Sequence, residues 1–340
     1  MDRELAARIL GRLPGFRAAV LGDYCLDKYI HFNPALNEIS RETGETAYQV
    51  TRVRTFPGAA GTVCANLTAL GFGVVDCYGV IGGDGEGFEL ARELGRIGCG
   101  VKNLLASDRL TNTYLKPVDT DLREASRYDY RTRAPVPDAL CDELFLRLEA
   151  ELKNYNAVLI IDQFDLPDDR LISERMLKKL SVMAEKKPSV LFYADSRARA
   201  GDFKKMTVKC NHREAAAVAR LSPENDNLPE TGRHLIALTG APAFVTVGER
   251  GVVSVSEGGA VLSPAVAVAG PVDIVGAGDS ASSGIVAALC SGYSMEEAAF
   301  FANVAASVTI KKIGVTGTAS PEEILTNAAV YEGIAARRLA

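Results

Sequence analysis

Near the C-terminal end of the 340-residue chain, the run Asp273-Ile274-Val275-Gly276-Ala277-Gly278-Asp279 sets two carboxylates around three small residues. Small residues let the backbone turn sharply and present its N–H groups outward. A helix predicted from Ser280 adds its own unpaired N–H groups and the positive end of its dipole. Gly276, Ala277 and Gly278 thus form a cradle for negatively charged oxygens, with Asp279 at its mouth. A carboxylate there suits a base beside a phosphoryl group, because it can take a proton next to donors that stabilise developing charge. Taken alone, such a turn also describes an ordinary helix start capped by Asp279.

The elements that must position this stretch favour the chemical reading. Ala18-Ala19-Val20-Leu21 reads as a buried strand running into Gly22-Asp23-Tyr24-Cys25-Leu26-Asp27. Asp23 and Asp27 therefore fall just past the C-terminal edge of a strand, where open α/β sheets bind ligands. Asp27 is a candidate for holding sugar hydroxyls, with loop solvation as the equal alternative. Further buried strands are predicted at 74–80, 157–161, 190–194, 207–209 and 243–247, alternating with helices. That alternation argues for a mainly parallel sheet covered on both faces. Four of these strands end in polar clusters: Asp162-Gln163, Asp195-Ser196-Arg197, Asn211-His212-Arg213-Glu214 and Gly248-Glu249-Arg250-Gly251. Period-two alternation at 46–53 and within 111–130 predicts strands with one buried face. We therefore expect a main domain over 1–23, 57–110 and 131–340, and a small β-sheet lid over 24–56 and 111–130. Pro57-Gly58-Ala59-Ala60-Gly61 leads into an Ala-rich helix that Gly71 stops. Neither this cluster nor Gly82–Gly87 fits a P-loop or dinucleotide fingerprint. Ser294 with Glu297 is a capping box, Lys311 and Lys312 suit a last helical turn, and Ser320-Pro321-Glu322-Glu323 marks another helix start.

Composition narrows the class. A net charge of −5 and a pI near 5.5 argue against a general nucleic-acid or membrane-surface binder. Seven scattered cysteines without a CxxC pair read as reduced, buried small hydrophobes, and three isolated histidines show no zinc spacing. No apolar run approaches a membrane span, so a soluble cytoplasmic protein is expected.

Gly22-Asp23 with Asp27, Pro57-Gly58-Ala59-Ala60 with Asn66, Gly79 to Gly87, Asn211 to Glu214, Thr246 to Gly251 and Asp273 to Asp279 occur in an order that resembles the ribokinase-like (PfkB) carbohydrate kinases over nearly the whole chain. Leu26-Asp27-Lys28-Tyr29, Glu38-Ile39-Ser40-Arg41-Glu42, Phe301-Ala302-Asn303 and Lys312-Ile313-Gly314 look most like the kinase domain of heptose 7-phosphate kinases of lipopolysaccharide synthesis. No nucleotidyltransferase domain is expected to follow.

The resemblance implies a three-layer α/β/α domain with a β lid, and transfer of the ATP γ-phosphoryl group to a sugar hydroxyl. In that reading Asp279 is the general base and Gly276-Ala277-Gly278 the anion hole. Glu214, with Asn211, would organise Mg²⁺ through water, and Asp273 would hold a monovalent cation such as K⁺. Thr246, Gly248, Gly251 and Asn303 would border the nucleotide, while Asp23, Asp27, Gly58, Ala59, Thr62 and Asn66 would shape the sugar pocket. A homodimer through the lid is also implied. Two departures bear on substrate: Thr62 stands where the family usually has Asn, and Ile274 and Val275 replace hydroxyl-bearing residues. Arg41, Lys116, Arg127 and Arg197 could bind a phosphate already on the sugar, though each reads first as a solvated charge. A nucleoside-type kinase of the same fold, or a catalytically silent ligand-binding relative, stays open beside the sugar kinase.

Overall fold

The computed structural model describes residues 2–164, 170–222 and 227–339. Along the chain the strands are β1 (Arg17–Gly22), β2 (Tyr24–Phe32), β3 (Glu38–Ile39), β4 (Thr46–Ala47), β5 (Val50–Ala59), β6 (Val74–Gly82), β7 (Gly100–Ser107), β8 (Thr113–Val118) and β9 (Tyr128–Tyr130). They continue as β10 (Ala157–Asp162), β11 (Leu191–Ser196), β12 (Thr207–Asn211), β13 (Ala243–Thr246), β14 (Gly251–Ser256), β15 (Gly259–Pro264) and β16 (Arg337–Leu339).

Ten strands form one sheet in the order β16-β15-β14-β13-β12-β11-β10-β1-β6-β7. It is parallel from β7 across to β13 and antiparallel from β13 to β16. The apolar runs explain its position: a strand buried on both faces has no polar side to offer. Ala18 and Val20 enter one core with the helices Ala60–Leu70, Ala277–Cys290 and Met295–Thr309, while Ala19 and Leu21 enter the other with Asp138–Glu151, Glu174–Lys186 and Leu228–Thr239. The result is a sheet between two helical layers. The Ala-rich run from Phe301 to Ser307 serves close helix packing, since a Cβ on Gly284 would lie 2.9 Å from Ala302 Cα.

A second sheet, β5-β2-β8-β9, stands over the C-terminal edge of the first, with β3 and β4 as a separate short pair. The expected strands are present in both sheets, but β7 and β14–β16 were not read from the sequence. Three local expectations are corrected. The segment holding Asp27 is not a loop beyond β1 but the strand β2, which follows β1 after the single residue Asp23. The small-residue helix begins at Ala277 rather than Ser280, so Asp279 lies inside its first turn. Lys311 and Lys312 lie beyond the helix that ends at Thr309, where Lys312 instead pairs with Glu323 at 2.8 Å. Both serine caps are complete capping boxes.

Candidate active site

The Ala277–Cys290 helix starts from Gly276 at φ 81°, a left-handed conformation that glycine adopts at low cost. Glycine has no side chain to cap the helix, so the first-turn N–H groups of Gly278 and Asp279 have no partner dictated by the fold. The turn is packed from below: a Cβ on Gly276 would come within 2.7 Å of the Thr316 methyl, and one on Gly278 within 3.2 Å of Lys209 Nζ. Asp279 is half-buried at the floor of a crevice ringed by protein. Burial, followed by the nearby Asp195 carboxylate, pushes its pKa up to about 7, against the pull of Lys209 and Arg197. Asp27 adds to the rise, which places the two carboxylates within electrostatic reach across the crevice.

Asp27 extends from β2 with Oδ1 3.0 Å from Lys116 Nζ on β8, and that ammonium also donates to the Tyr29 hydroxyl at 3.2 Å. Lys116 is therefore not the solvated charge its sequence context suggested, its side chain being 14% exposed. Register places Asp27 opposite Phe56 and Tyr114, and Tyr29 opposite Arg54 and Lys116, so these side chains share one face of the smaller sheet. Arg54 stacks on Phe56 at 5.0 Å and Arg127 on Tyr114 at 4.6 Å. His31, on the same face, has its pKa lowered by burial and then by the charges of Arg54 and Arg52. The face is thus aromatic and positive on balance: Asp27 neutralises Lys116 and Asp129 neutralises Arg127 at 2.6 Å, which leaves Arg52 and Arg54 as its surplus charge. Arg197, at the exposed end of β11, bonds Gln163 at 2.8 Å, and Arg41 lies exposed between β3 and β4, away from these contacts.

The other candidate sugar-pocket residues divide. Gly58 belongs on the crevice wall, since a Cβ there would lie 2.5 Å from Cys25 Sγ and 2.9 Å from Asp27 Oδ2. Ala59 caps the Ala60–Leu70 helix at φ 51° and ψ −118°, a strained conformation for a residue with a Cβ. Thr62 is buried beside the Gly276 turn, with its hydroxyl donating to Pro57 O at 3.2 Å. Asn66 is turned into its own helix, donating to Thr62 O at 2.9 Å. Asp23 is buried with Oδ2 accepting from the Gln163 and Phe164 N–H groups and Oδ1 from Leu171 N–H, so it anchors the segment after β10. Burial and then Asp162 push its pKa up to about 7.

Asn211 and Glu214, expected at the nucleotide, form a reciprocal capping box: Asn211 Oδ1 accepts from Glu214 N–H at 2.9 Å and Glu214 Oε2 from Asn211 N–H at 2.7 Å. Burial raises the Glu214 pKa, partly offset by the Asn211 N–H bond and by Lys209. Thr246 ends β13, and Gly248 (φ 62°) and Gly251 (φ 115°) make the turn that follows; a Cβ on Gly251 would strike Ser263 O at 2.2 Å. Asn303 is buried, donating to Ser263 O at 2.7 Å. Asp273 accepts from Val275 N–H at 3.1 Å and Gly314 N–H at 3.0 Å, tying the turn to the segment after the Met295–Thr309 helix. Among the described residues no cluster of three or more metal-binding side chains occurs, and no helix is long and apolar enough to cross a membrane.

Sequence reasoning missed the buried pair beneath this floor, Lys209 Nζ to Asp195 Oδ2 at 2.6 Å. A lysine at the end of an apolar strand with an aspartate at the end of its neighbour was the available signal.

Comparison with known proteins agrees with this geometry. Residues 19–323 match the pfkB family carbohydrate kinase pattern. The curated relatives include the bifunctional protein HldE of Geobacter metallireducens, 27% identical over 96% of this chain, and that of Sulfurimonas denitrificans, 27% identical over 91%. The chain spans 65% and 63% of the lengths of those two relatives. Among solved structures, phosphofructokinase-2 from Escherichia coli in complex with potassium has a TM-score of 0.74 at 19% identity, covering 93% of this chain and 98% of that one. Arabidopsis thaliana ribokinase complexed with ribose and ATP has a TM-score of 0.66 at 19% identity, covering 92% and 98%. The fold is ribokinase-like, and with the match running through both the Asp27 strand and the Asp279 turn, the chain belongs to the pfkB family of carbohydrate kinases.

Proposed function

We propose that this enzyme transfers the γ-phosphoryl group of ATP to a hydroxyl of a sugar that already carries a phosphate. The observation that carries the reading is Asp279, set in an uncapped helical turn and facing Asp27 across a crevice. Asp27 orients the acceptor, and Asp279 takes the proton of the attacking hydroxyl. Gly276 and Gly278 present N–H groups to the transferring phosphoryl oxygens, whereas the Ala277 N–H expected beside them donates to Ile274 O at 3.1 Å and closes the turn instead. The turn at Thr246, Gly248 and Gly251, with Asn303 behind it, borders the adenine and ribose.

A divalent ion fits the donor set: Glu214 spends one carboxylate oxygen on its helix cap and keeps the other for a bound water, and Mg²⁺ takes most of its ligands from phosphates and water. Bound to ATP, Mg²⁺ would neutralise phosphate charge. Asp273 with neighbouring carbonyls offers oxygen ligands for a monovalent cation. The smaller sheet acts as a lid over the acceptor, excluding water that would otherwise compete with it. Exposed Val50 and Val53 on its edge strand β5, with exposed Ile39 and Tyr48 in the adjoining β3–β4 segment, make this the face for pairing with a second copy, which sedimentation measures; a monomer at working concentration would remove that pairing. Action in the cytoplasm completes the reading.

Arg52 and Arg54 support a phosphorylated acceptor, because Lys116 on the same face is already paired with Asp27 whereas these two guanidiniums stand beside it as surplus positive charge that a neutral sugar does not match. The test is steady-state kinetics on matched sugars and sugar phosphates with Mg²⁺-ATP. Replacing Arg54 by Ala should raise KM for the phosphorylated acceptor by about 10- to 100-fold, the size of one charge-assisted hydrogen bond, with KM for ATP unchanged. Equal use of free and phosphorylated sugars, insensitive to this change, would overturn the assignment.

A further inference from the structure

The buried cation under the catalytic turn has no role in the account so far. Lys209, the middle residue of β12, has Nζ 2.6 Å from Asp195 Oδ2 and 3.4 Å from Gly278 O, and both side chains of the pair are almost wholly enclosed. Asp195 is itself fixed by the Ser282 hydroxyl at 2.8 Å, which receives a bond from Tyr193 at 3.0 Å. The ammonium therefore lies against the carbonyl of the residue before Asp279, in the uncapped first turn of the Ala277–Cys290 helix. A buried ion pair contributes little net stability once desolvation is counted, so stability alone does not explain it.

We propose that Lys209 is a positioning residue for phosphoryl transfer: a fixed positive charge, held on Gly278 by Asp195, that keeps Asp279 able to accept a proton and strengthens the pull of the turn on phosphoryl oxygens. The inference rests on Asp279 being the base. Burial would strip the proton from an isolated lysine, but Asp195, Asp279 and Glu214 more than reverse that, so Lys209 stays charged. The charged and titratable groups facing Asp279 are Asp195 and Tyr193 from β11, Arg197 at its end, Lys209 from β12, and Asp27 and Cys25 from β2. Only the Lys209–Asp195 pair is enclosed beneath the turn, where little solvent screens it.

The experiment is the pH profile of kcat/KM for Lys209→Met, Asp195→Asn and the double variant, with circular dichroism to confirm folding. Losing the cation should move the acid limb upward by about one pH unit and lower the rate at pH 7 by at least about 10-fold. Losing the anion should move the limb downward, and the double variant, which leaves no orphaned charge if the single lysine variant fails to fold, should return it close to wild type. Lys209→Arg should restore most of the rate. A structural role alone would change amplitude without these opposite shifts, so folded variants with unmoved limbs overturn the inference. If Asp279→Asn retained full activity, the underlying assignment of the base would fall instead, and the two failures are thus distinguishable.

Discussion

Replacing Asp279 by Asn should stabilise the protein while disabling it, and the stabilisation should depend on pH. Folding raises the Asp279 pKa from 3.8 to about 7, with burial as the leading cause. A raised carboxyl pKa means that the native state holds a proton the unfolded chain has released. The stability contributed by the protonated acid is therefore fully present below about 3.8 and is lost as pH rises through about 7. A shift of about three units, at ~1.36 kcal/mol each, sets an upper limit near 4 kcal/mol. Water reaching this half-buried group reduces the figure to about 1–3 kcal/mol. Asparagine cannot ionise and escapes that penalty. Urea unfolding should give nearly equal midpoints for the two proteins below about pH 3.8 and a more stable variant at pH 8. Asp23, also raised to about 7, is common to both proteins and cancels in the comparison. A midpoint difference that stays constant across pH, or reverses, would refute the reasoning.

Ala59→Gly should raise the unfolding midpoint: relief of ~1–3 kcal/mol of backbone strain outweighs ~0.5–1 kcal/mol of added chain entropy; a lower midpoint would show that Ala59 is not strained. Gly58→Ala should press on Cys25 and Asp27 and raise KM for the acceptor at least about 10-fold, with KM for ATP little changed. Asp23→Ala orphans three backbone N–H groups and should cost about 2–5 kcal/mol in denaturant unfolding, far more than Asp23→Asn, whose oxygen can still accept from one or two of them.

How much of this could be read beforehand depended on whether a residue announced itself locally. The Asp273–Asp279 turn did, because glycines and a carboxylate beside a helix start leave few structural uses, and the buried strands did, because an apolar run between turn residues has few other places to go. The helix starts at Ala277 and not at Ser280 because Gly278, a poor helix former, lies against Lys209 while Gly276 before it packs on Thr316. For Asp27, loop solvation stands level with sugar binding in the sequence, because nothing in Gly22-Asp23-Tyr24 shows that the lid strand β2 starts one residue after β1. Lys116 is hidden because Asp27 lies 89 residues away on another strand, whereas Lys209 and Asp195 are 14 residues apart on neighbouring strands and their pairing shows only once those strands are set side by side. The antiparallel strands β14 and β15 escaped because Gly251–Pro264 is rich in serine and glycine and shows weak periodicity, and β16 because three residues are too few to show any. The Asn211–Glu214 pair was legible both as a nucleotide motif and as a helix start, and geometrically it is a capping box whose second oxygen is left over.

The most direct test of the central claim is acceptor-dependent ADP formation, followed in the same assay by detection of the phosphorylated product, for the wild type and Asp279→Asn at pH 8 with Mg²⁺. The account predicts one mole of phosphorylated acceptor per mole of ADP, and a loss of ~10²–10⁴ in turnover for the variant with binding of ATP retained. Undiminished turnover in the folded variant, or ADP formation indifferent to every sugar and sugar phosphate, would contradict it.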